Sequence, residues 1–272
     1  MFILSRNELP QTPDGLAVAL EEAVREFASR LKPMIIVRGA DLRRLDEIIV
    51  DLSGAVIDPR HPPMIPKLSR SEPAISAGKF IVSAKPAKVL GSELAFDFAA
   101  SNVQLNQARA SDGKLLLILH EAGSGEMRAA IARDELERLI AQIAAIAAAK
   151  RGVTIDNVEV DLTSRATRTL EVKVSVSAHK LFFRASLRLF GTVAVTEDFN
   201  AILSGLRCEG DGPLAALVCA AITPHFSGME GRAFPLSALP VGEIRVNDLA
   251  ITVNDKQIVV AARFGSQSAR PV

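Results

Sequence analysis

The sequence predicts an α+β protein in which a highly curved antiparallel sheet wraps one or two long apolar helices. The stretch from Asp134 to Ala149 repeats apolar side chains at three- and four-residue steps, which is typical of an amphipathic helix. A second stretch, from Pro213 to Pro224, contains no charged residue and indicates a helix that is buried on nearly every side. Segments on both sides of the first helix alternate apolar and polar residues, which indicates strands with one buried face.

The N-terminal part of the chain adds one helix and two strands to this prediction. Apolar residues at helical spacing predict a helix from Pro13 to Leu31, and the apolar run at 34–37 predicts a short strand. Residues 48–52 alternate as in a strand, and the proline-rich stretch 58–66 predicts a loop because proline interrupts regular structure.

Long strands account for most of the remaining chain. Apolar and polar residues alternate from 74 to 105, which predicts strands. Residues 115–119 are a continuous apolar strand, and the Ala-Gly-Ser-Gly sequence at 122–125 predicts a turn that ends it. Further strands are predicted between 158 and 195, and a strand pair at 244–264 turns at Asn254. We interpret the chain as one main domain.

The domain organisation follows from these elements. Residues 1–44 are predicted to form an N-terminal helical segment packed on the main domain, and residues 45–265 to form that domain. Residues 266–272 are predicted to be a flexible tail.

Composition excludes several classes of function. The net charge of the 272-residue chain is +1, which gives no electrostatic case for nucleic acid, and Trp and Tyr are absent. No apolar run approaches the ~18 residues of a membrane span. The first residues are too polar for a signal peptide, so the chain as written is predicted to be cytoplasmic or peripheral to a membrane. An envelope location is the alternative if an export segment has been removed.

Catalytic and metal-binding templates do not match the sequence. The four histidines are dispersed, and HExxH, CxxC and GxSxG motifs are absent. Ser124 is interpreted as a turn residue, and a hydrolase acting on lipids has no candidate triad. We therefore predict a protein that is not an enzyme and that needs no metal or cofactor. Cys208 and Cys219 are interpreted as two buried small apolar side chains, with a disulfide or one catalytic thiol as alternatives.

One stretch of the predicted sheet is rich in cations. Between Thr163 and Phe190 this stretch has six basic residues and a single acidic residue, Glu171. They are either ordinary solubilising charge or a patch that docks on anionic lipid headgroups, where each cation contributes about 1 kcal/mol. The candidate membrane-docking residues are Arg165, Arg168, Lys173, Lys180, Arg184 and Arg188.

The order of these segments resembles a known family. Alternating strands precede GEMRAAIARDELERLIAQ, followed by GVTIDNVEVDL, a strand pair, RASLRLFGTVAV, a small apolar helix and FPLSALPVGEIRVNDLAITV. Over roughly residues 45–265 this order is similar to bacterial members of the tubular lipid-binding (TULIP) superfamily, in particular the LmeA-type envelope phospholipid-binding proteins. The resemblance implies a sheet wrapped around a long helix, with an apolar channel for acyl chains between them.

The predicted function is therefore non-enzymatic binding of a phospholipid or similar amphiphile, with transfer as an extension of binding. The alternative is an interaction or scaffold protein of the same fold with a filled core. Oligomeric state is open. The residues predicted to line the channel lie on the two helices and on the strands that face them: Leu136, Leu139, Ile140, Ile143, Leu217, Val218, Ala221, Ile222, Phe96, Phe98, Leu187 and Leu189.

Overall fold

The computed structural model of the protein describes residues 2–29, 34–57, 71–110, 112–149, 152–180, 183–197, 200–235 and 246–265. The loop predicted at 58–66 and the tail predicted at 266–272 lie outside these ranges. The described helices are α1 (Pro13–Arg25), α2 (Arg133–Ala149) and α3 (Pro213–Met229). The described strands are β1 (Phe2–Leu4), β2 (Ala28–Ser29), β3 (Met34–Gly39), β4 (Leu45–Asp51), β5 (Val56–Ile57), β6 (Glu72–Val89), β7 (Ser92–Arg109), β8 (Leu115–Ala132), β9 (Thr154–Ala166), β10 (Thr169–Lys180), β11 (Phe183–Val195), β12 (Asn200–Asp211), β13 (Ala233–Pro235), β14 (Val246–Val253) and β15 (Gln257–Phe264).

The strands form two sheets, so the described part of the protein is mostly β-sheet with three helices and belongs to the α+β class. The first sheet has ten strands, seven of them in the order β14-β15-β8-β7-β6-β4-β3, and the second has five in the order β13-β12-β11-β10-β9. In the second sheet every neighbouring pair is antiparallel. In the first, β4 and β5 run parallel to β6.

The chain divides into two compact units. Unit 1 comprises residues 1–130, 237–249 and 261–272, and unit 2 comprises residues 131–236 and 250–260. Strands β8, β14 and β15 each contribute residues to both units. Neither predicted domain boundary, at residue 44 or at residue 265, coincides with a border of these units, and both stay predictions.

Unit 1 buries α1 against its part of the first sheet. The Thr12 hydroxyl caps the helix by accepting a hydrogen bond from the Gly15 amide at 3.1 Å, which satisfies one of the free donors of the first turn. Leu16, Leu20 and Val24 are buried in its core. The predicted extension of this helix to Leu31 is wrong, because the chain returns to strand in β2, which pairs with β5.

The turn predicted at 122–125 is also wrong, since β8 continues through it. The two glycines there allow close approach within unit 1. A Cβ on Gly125 would lie 2.3 Å from the Phe264 ring, and one on Gly123 would lie 3.2 Å from Asn102. Ser124 is consequently a strand residue. Glycine at these positions leaves room for groups that approach the strand closely, and the chain does not change direction there.

Unit 2 contains the five-stranded sheet and both remaining helices. The prediction of a helix at Asp134–Ala149 is confirmed by α2, and the second predicted helix is confirmed by α3, which continues past Pro224 to Met229. The long strands predicted between 158 and 195 are confirmed as β9, β10 and β11. In β14 and β15 the predicted strand pair is confirmed, with Asn254 in the turn.

Candidate functional site

The five-stranded sheet of unit 2 has one apolar face and one polar face, because opposed residues of antiparallel strands share a face. Val158 and Val160 of β9 oppose Val176 and Val174 of β10, which in turn oppose Leu187 and Leu189 of β11. Leu187 and Leu189 oppose Gly210 and Cys208 of β12. We call this side the apolar face; its members on β9 to β12 are Val158, Val160, Leu162, Val172, Val174, Val176, Leu187, Leu189, Cys208 and Gly210.

Helix α2 covers the β9 end of the apolar face. Leu136, Ile140 and Ala141 pack in one cluster with the buried valines of β9. The Glu137 carboxylate accepts a hydrogen bond from the Val160 amide at 3.1 Å, which ties the first half of the helix to the strand. One stripe of α2 is therefore committed to packing.

Helix α3 covers the β12 end of the same face. Cys219 of α3 forms a disulfide with Cys208, with the two Cα atoms 5.3 Å apart. Ala215 is fully buried and lies so close to Gly210 that a Cβ on this glycine would be 2.6 Å from that of Ala215. Both contacts start from the apolar face, so α2 and α3 lie on the same side of the sheet.

Between the two helices the apolar face carries the central strands β10 and β11. Strands β9 and β12 are three spacings apart, or about 14 Å. The side chains of Val174, Val176, Leu187 and Leu189 are half-buried there. We call these four residues the trough floor, and we use the word trough for the part of the apolar face above them, between α2, which contacts β9, and α3, which contacts β12 and β11.

A second stripe of α2 is uncovered. Leu139, Ile143 and Ile146 recur at four- and three-residue steps and so share one side of the helix. Leu139 is half-buried, whereas Ile143 is 52% and Ile146 48% exposed. A helix of a packed core does not leave such a stripe unpartnered, and large exposed apolar patches mark interaction sites.

Helix α3 is similarly incomplete in its packing. Val218 and Ile222 are half-buried, but Leu217 is 70% exposed and Ala221 is exposed. The prediction that α3 is buried on nearly every side is therefore wrong. That prediction was based on the absence of charged residues in this helix. In the structure, part of this uncharged surface is in contact with solvent.

The structure brings all but two of the predicted channel residues into unit 2, on α2, α3 and β11. The exceptions are Phe96 and Phe98 of unit 1. Phe98 is buried, with its ring centroid 5.8 Å from that of Phe80 and 5.2 Å from that of Phe264. It belongs to an aromatic cluster in the unit 1 core, and half-buried Phe96 packs against that core.

The predicted membrane-docking residues lie among carboxylates that adjacent strands contribute. Arg165 pairs with Glu171 at 2.8 Å, and Arg188 lies 4.0 Å from Glu209 and 3.7 Å from Asp211. Lys173 opposes Asp161, and Arg184 opposes His179. Arg168 is half-buried within the β9–β10 turn, and the side chain of Lys180 lies outside the described part of the structure. Docking on anionic lipid stays a prediction.

The disulfide corrects the interpretation of Cys208 and Cys219 as two separate buried thiols. They are the only cysteines of the chain and are 11 residues apart, yet sequence spacing alone does not specify pairing. The signal lies in the fold: a strand and the helix after it place both side chains on one side of the sheet. The bond fixes α3 to β12.

The polar face holds one Ser-His-Asp grouping that resembles hydrolase chemistry only in composition. A hollow there is lined by Asp156, Ser177, His179, Arg184 and Ser186, and His179 Nδ1 lies 2.7 Å from Asp156. Within the described residues no serine hydroxyl is hydrogen-bonded to His179, so the serine–histidine contact of a catalytic triad is not formed in this grouping. Nor do the described residues contain a group of three or more His, Cys, Asp or Glu side chains that could hold a metal.

Comparison with protein-family models, curated protein sequences and solved structures gives no significant match. Among the described helices, none combines the length and apolar character needed to cross a membrane. The class of the protein is thus defined by its own architecture: a two-unit α+β protein with an incompletely covered apolar sheet face in unit 2.

Proposed function

We propose that unit 2 binds the acyl chains of a phospholipid or similar amphiphile in the trough, without catalysis. The observation that carries this proposal is the uncovered stripe of Leu139, Ile143 and Ile146 on α2, beside an apolar face that the helices only partly cover. Burying an isoleucine or leucine side chain contributes roughly 1.5–3 kcal/mol, so an occupant that covers these residues gains substantial free energy.

The chemistry of the stripe favours an acyl chain over a protein partner. From Leu139 to Ala149 α2 has no charged residue, and α3 has none at all. Protein interfaces draw much of their affinity from Trp, Tyr and Arg, and the first two are absent from the whole chain. Aliphatic side chains offer no polar group that a hydrocarbon would leave unpaired.

The energetics of lipid extraction set what such a site must provide. Removing an acyl chain from a bilayer costs about 0.8 kcal/mol per methylene, or on the order of 10 kcal/mol for a long chain. The 17 residues of α2 correspond to about 25 Å of helix, which exceeds the ~15 Å depth of half a hydrocarbon core. A wall of this length can therefore shield an acyl chain along most of its extent.

A relation to the TULIP superfamily, and transfer of the bound lipid, belong to the same proposal. The order of elements along the chain supports the relation, because long antiparallel strands precede and follow the amphipathic helix α2. For contact with anionic membrane, the argument depends most on Lys173 and Arg184, because no carboxylate of the described residues lies within ion-pair distance of either cation. The disulfide favours an oxidising compartment such as the cell envelope over the cytoplasm, where thiols are kept reduced.

The proposal predicts that lipid remains with the protein through purification. Organic-solvent extraction of detergent-free protein, followed by mass spectrometry, should yield phospholipid or a similar amphiphile in near-stoichiometric amount. An unrelated protein purified from the same host controls for carry-over. Protein that yields no more lipid than this control, and takes up none from vesicles, contradicts the proposal and favours a scaffold with a filled core.

A further inference from the structure

The hollow on the polar face of unit 2 has a volume of about 750 Å³ and lies where β10 ends and β11 begins. Its polar side chains are Asp156, Ser177, His179, Arg184 and Ser186. Because α2 and α3 both lie on the apolar side of the sheet, neither helix covers this hollow. The volume falls within the ~300–1,000 Å³ of typical ligand pockets. The hollow is thus a second concave surface of unit 2, separate from the trough.

The strand register gathers four of these side chains on two neighbouring pairs of β10 and β11. Ser177 opposes Ser186, and two residues further along the strand His179 opposes Arg184. Opposed side chains on one face of an antiparallel sheet have Cβ atoms about 4.5–5.5 Å apart, and two residues along a strand span about 7 Å. Two hydroxyls, one imidazole and one guanidinium can therefore reach a single small ligand placed among them.

Three of these groups have hydrogen-bonding capacity that the protein does not use. Among the described residues, no carboxylate lies within ion-pair distance of Arg184, and no group is hydrogen-bonded to the hydroxyl of Ser177 or Ser186. Arg188 of the same strand differs, because it lies 3.7 Å from the carboxylate of Asp211. The hollow therefore holds a cation and two hydroxyls that are available to a ligand.

The carboxylate inside the hollow is engaged by the imidazole. Asp156 Oδ1 lies 2.7 Å from His179 Nδ1, which orients the ring and leaves Nε2 as the nitrogen that a ligand can use. Nε2 donates a hydrogen bond when the imidazole is protonated and accepts one when it is neutral. The other nearby carboxylate, Asp211, opposes Ser186 from β12 but is shared with Arg188.

We propose that this hollow binds a phosphate monoester, held by Arg184, by the hydroxyls of Ser177 and Ser186, and by His179. The guanidinium fork matches two oxygens of a phosphate group, and the hydroxyls donate to the remaining oxygens. His179 Nε2 meets either a phosphate oxygen or a P–O–H group. Since the donors come from two strands and two successive pairs, they surround a tetrahedral anion better than a planar carboxylate.

The site extends the account beyond acyl-chain binding, because the hollow and the trough lie on opposite faces of one sheet. The same phosphate chemistry occurs in soluble phosphate monoesters and in the headgroup of phosphatidic acid. Two probes of the full chain distinguish these sources. Calorimetric titration with glycerol 3-phosphate tests the soluble source, and flotation with phosphatidylcholine vesicles containing phosphatidic acid tests the lipid source. Vesicle binding counts only where it exceeds binding to phosphatidylglycerol vesicles, which carry a phosphate diester, at matched surface potential.

Two variants test the assigned residues. Arg184→Gln, and separately Ser177→Ala combined with Ser186→Ala, should each weaken binding of the phosphate monoester about tenfold, as expected for lost hydrogen bonds to a charged group. The matched control is Arg165→Gln, which removes the same charge from an exposed position of the same sheet and should leave the affinity unchanged. Circular dichroism should show intact structure in all three proteins.

The unsubstituted protein provides a readout that needs no variant to fold. The chain has four histidines, and the ring signals of His179 in nuclear magnetic resonance spectra should shift when the bound probe is added. Binding of either probe, with this shift and with the expected order of the variants, supports the site and identifies the source. Failure of both probes to bind, an unchanged His179 signal, or equal losses in the two arginine variants overturns it.

Discussion

Replacing Ile143 and Ile146 together by glutamate is expected to weaken lipid binding on the order of 100-fold while the protein stays folded. Both side chains are about half exposed, and substitutions at such positions usually change the free energy of unfolding by less than about 0.5 kcal/mol each. In the occupied trough, the variant loses apolar contact and places two carboxylates against hydrocarbon. We expect a loss of about 3 kcal/mol of binding free energy, which is on the order of 100-fold in Kd.

The matched control for this variant is Val18→Glu. Val18 is a helical residue with the same 48% exposure as Ile146, but it lies on α1 of unit 1. Fluorescent-lipid titration should give unchanged affinity for the control, and circular dichroism should show intact structure in both proteins. Equal affinities in the α2 variant and the control would remove this stripe from the lipid site.

Removing the disulfide is expected to have the largest effect on stability. The disulfide joins residues that are 11 positions apart, and closing a loop of that length contributes about 3 kcal/mol to stability by restricting the unfolded chain. Helix α3 depends on the bond more than its composition suggests, because Ala215 and Cys219 are its only buried side chains among those described. Reduction, or Cys208→Ala with Cys219→Ala, should lower the denaturant midpoint of unit 2 and raise amide exchange in α3.

The double alanine variant also provides the internal control for this experiment. Its denaturant midpoint should be the same with and without dithiothreitol, whereas the midpoint of the unsubstituted protein should fall when reductant is added. Thiol titration of the denatured, unreduced protein should find no free cysteine. Two free thiols per chain, together with a midpoint that reductant does not change, would contradict the assigned role of the bond.

The sequence predicted the elements of unit 2 well because their signals are local. The three- and four-residue repeat located α2, and the proline after Gly212 located the start of α3. Period-two alternation located β9 to β11 and the side of each strand that is apolar. These patterns depend only on which residues share a face, and that is determined within each element.

The degree of burial was not predictable in the same way. Helix α3 is apolar all round, which favours full cover, but whether a neighbour covers Leu217 depends on elements distant in the chain. The same limit explains Gly125, where a turn-like sequence makes room for Phe264 from a remote strand. Phe98 is a further example of this limit. Its place in an alternating strand is compatible with a channel wall and also with the aromatic core that contains it.

The most direct test of the trough is to find where a bound acyl chain touches the protein. Phosphatidylcholine with a photoactivatable diazirine in its acyl chain can be bound, irradiated and mapped by peptide mass spectrometry. The account predicts cross-links on the uncovered stripe of α2, at Leu139, Ile143 or Ile146, and on the trough floor, and none on α1. Saturable binding with cross-links confined to unit 1 would contradict it.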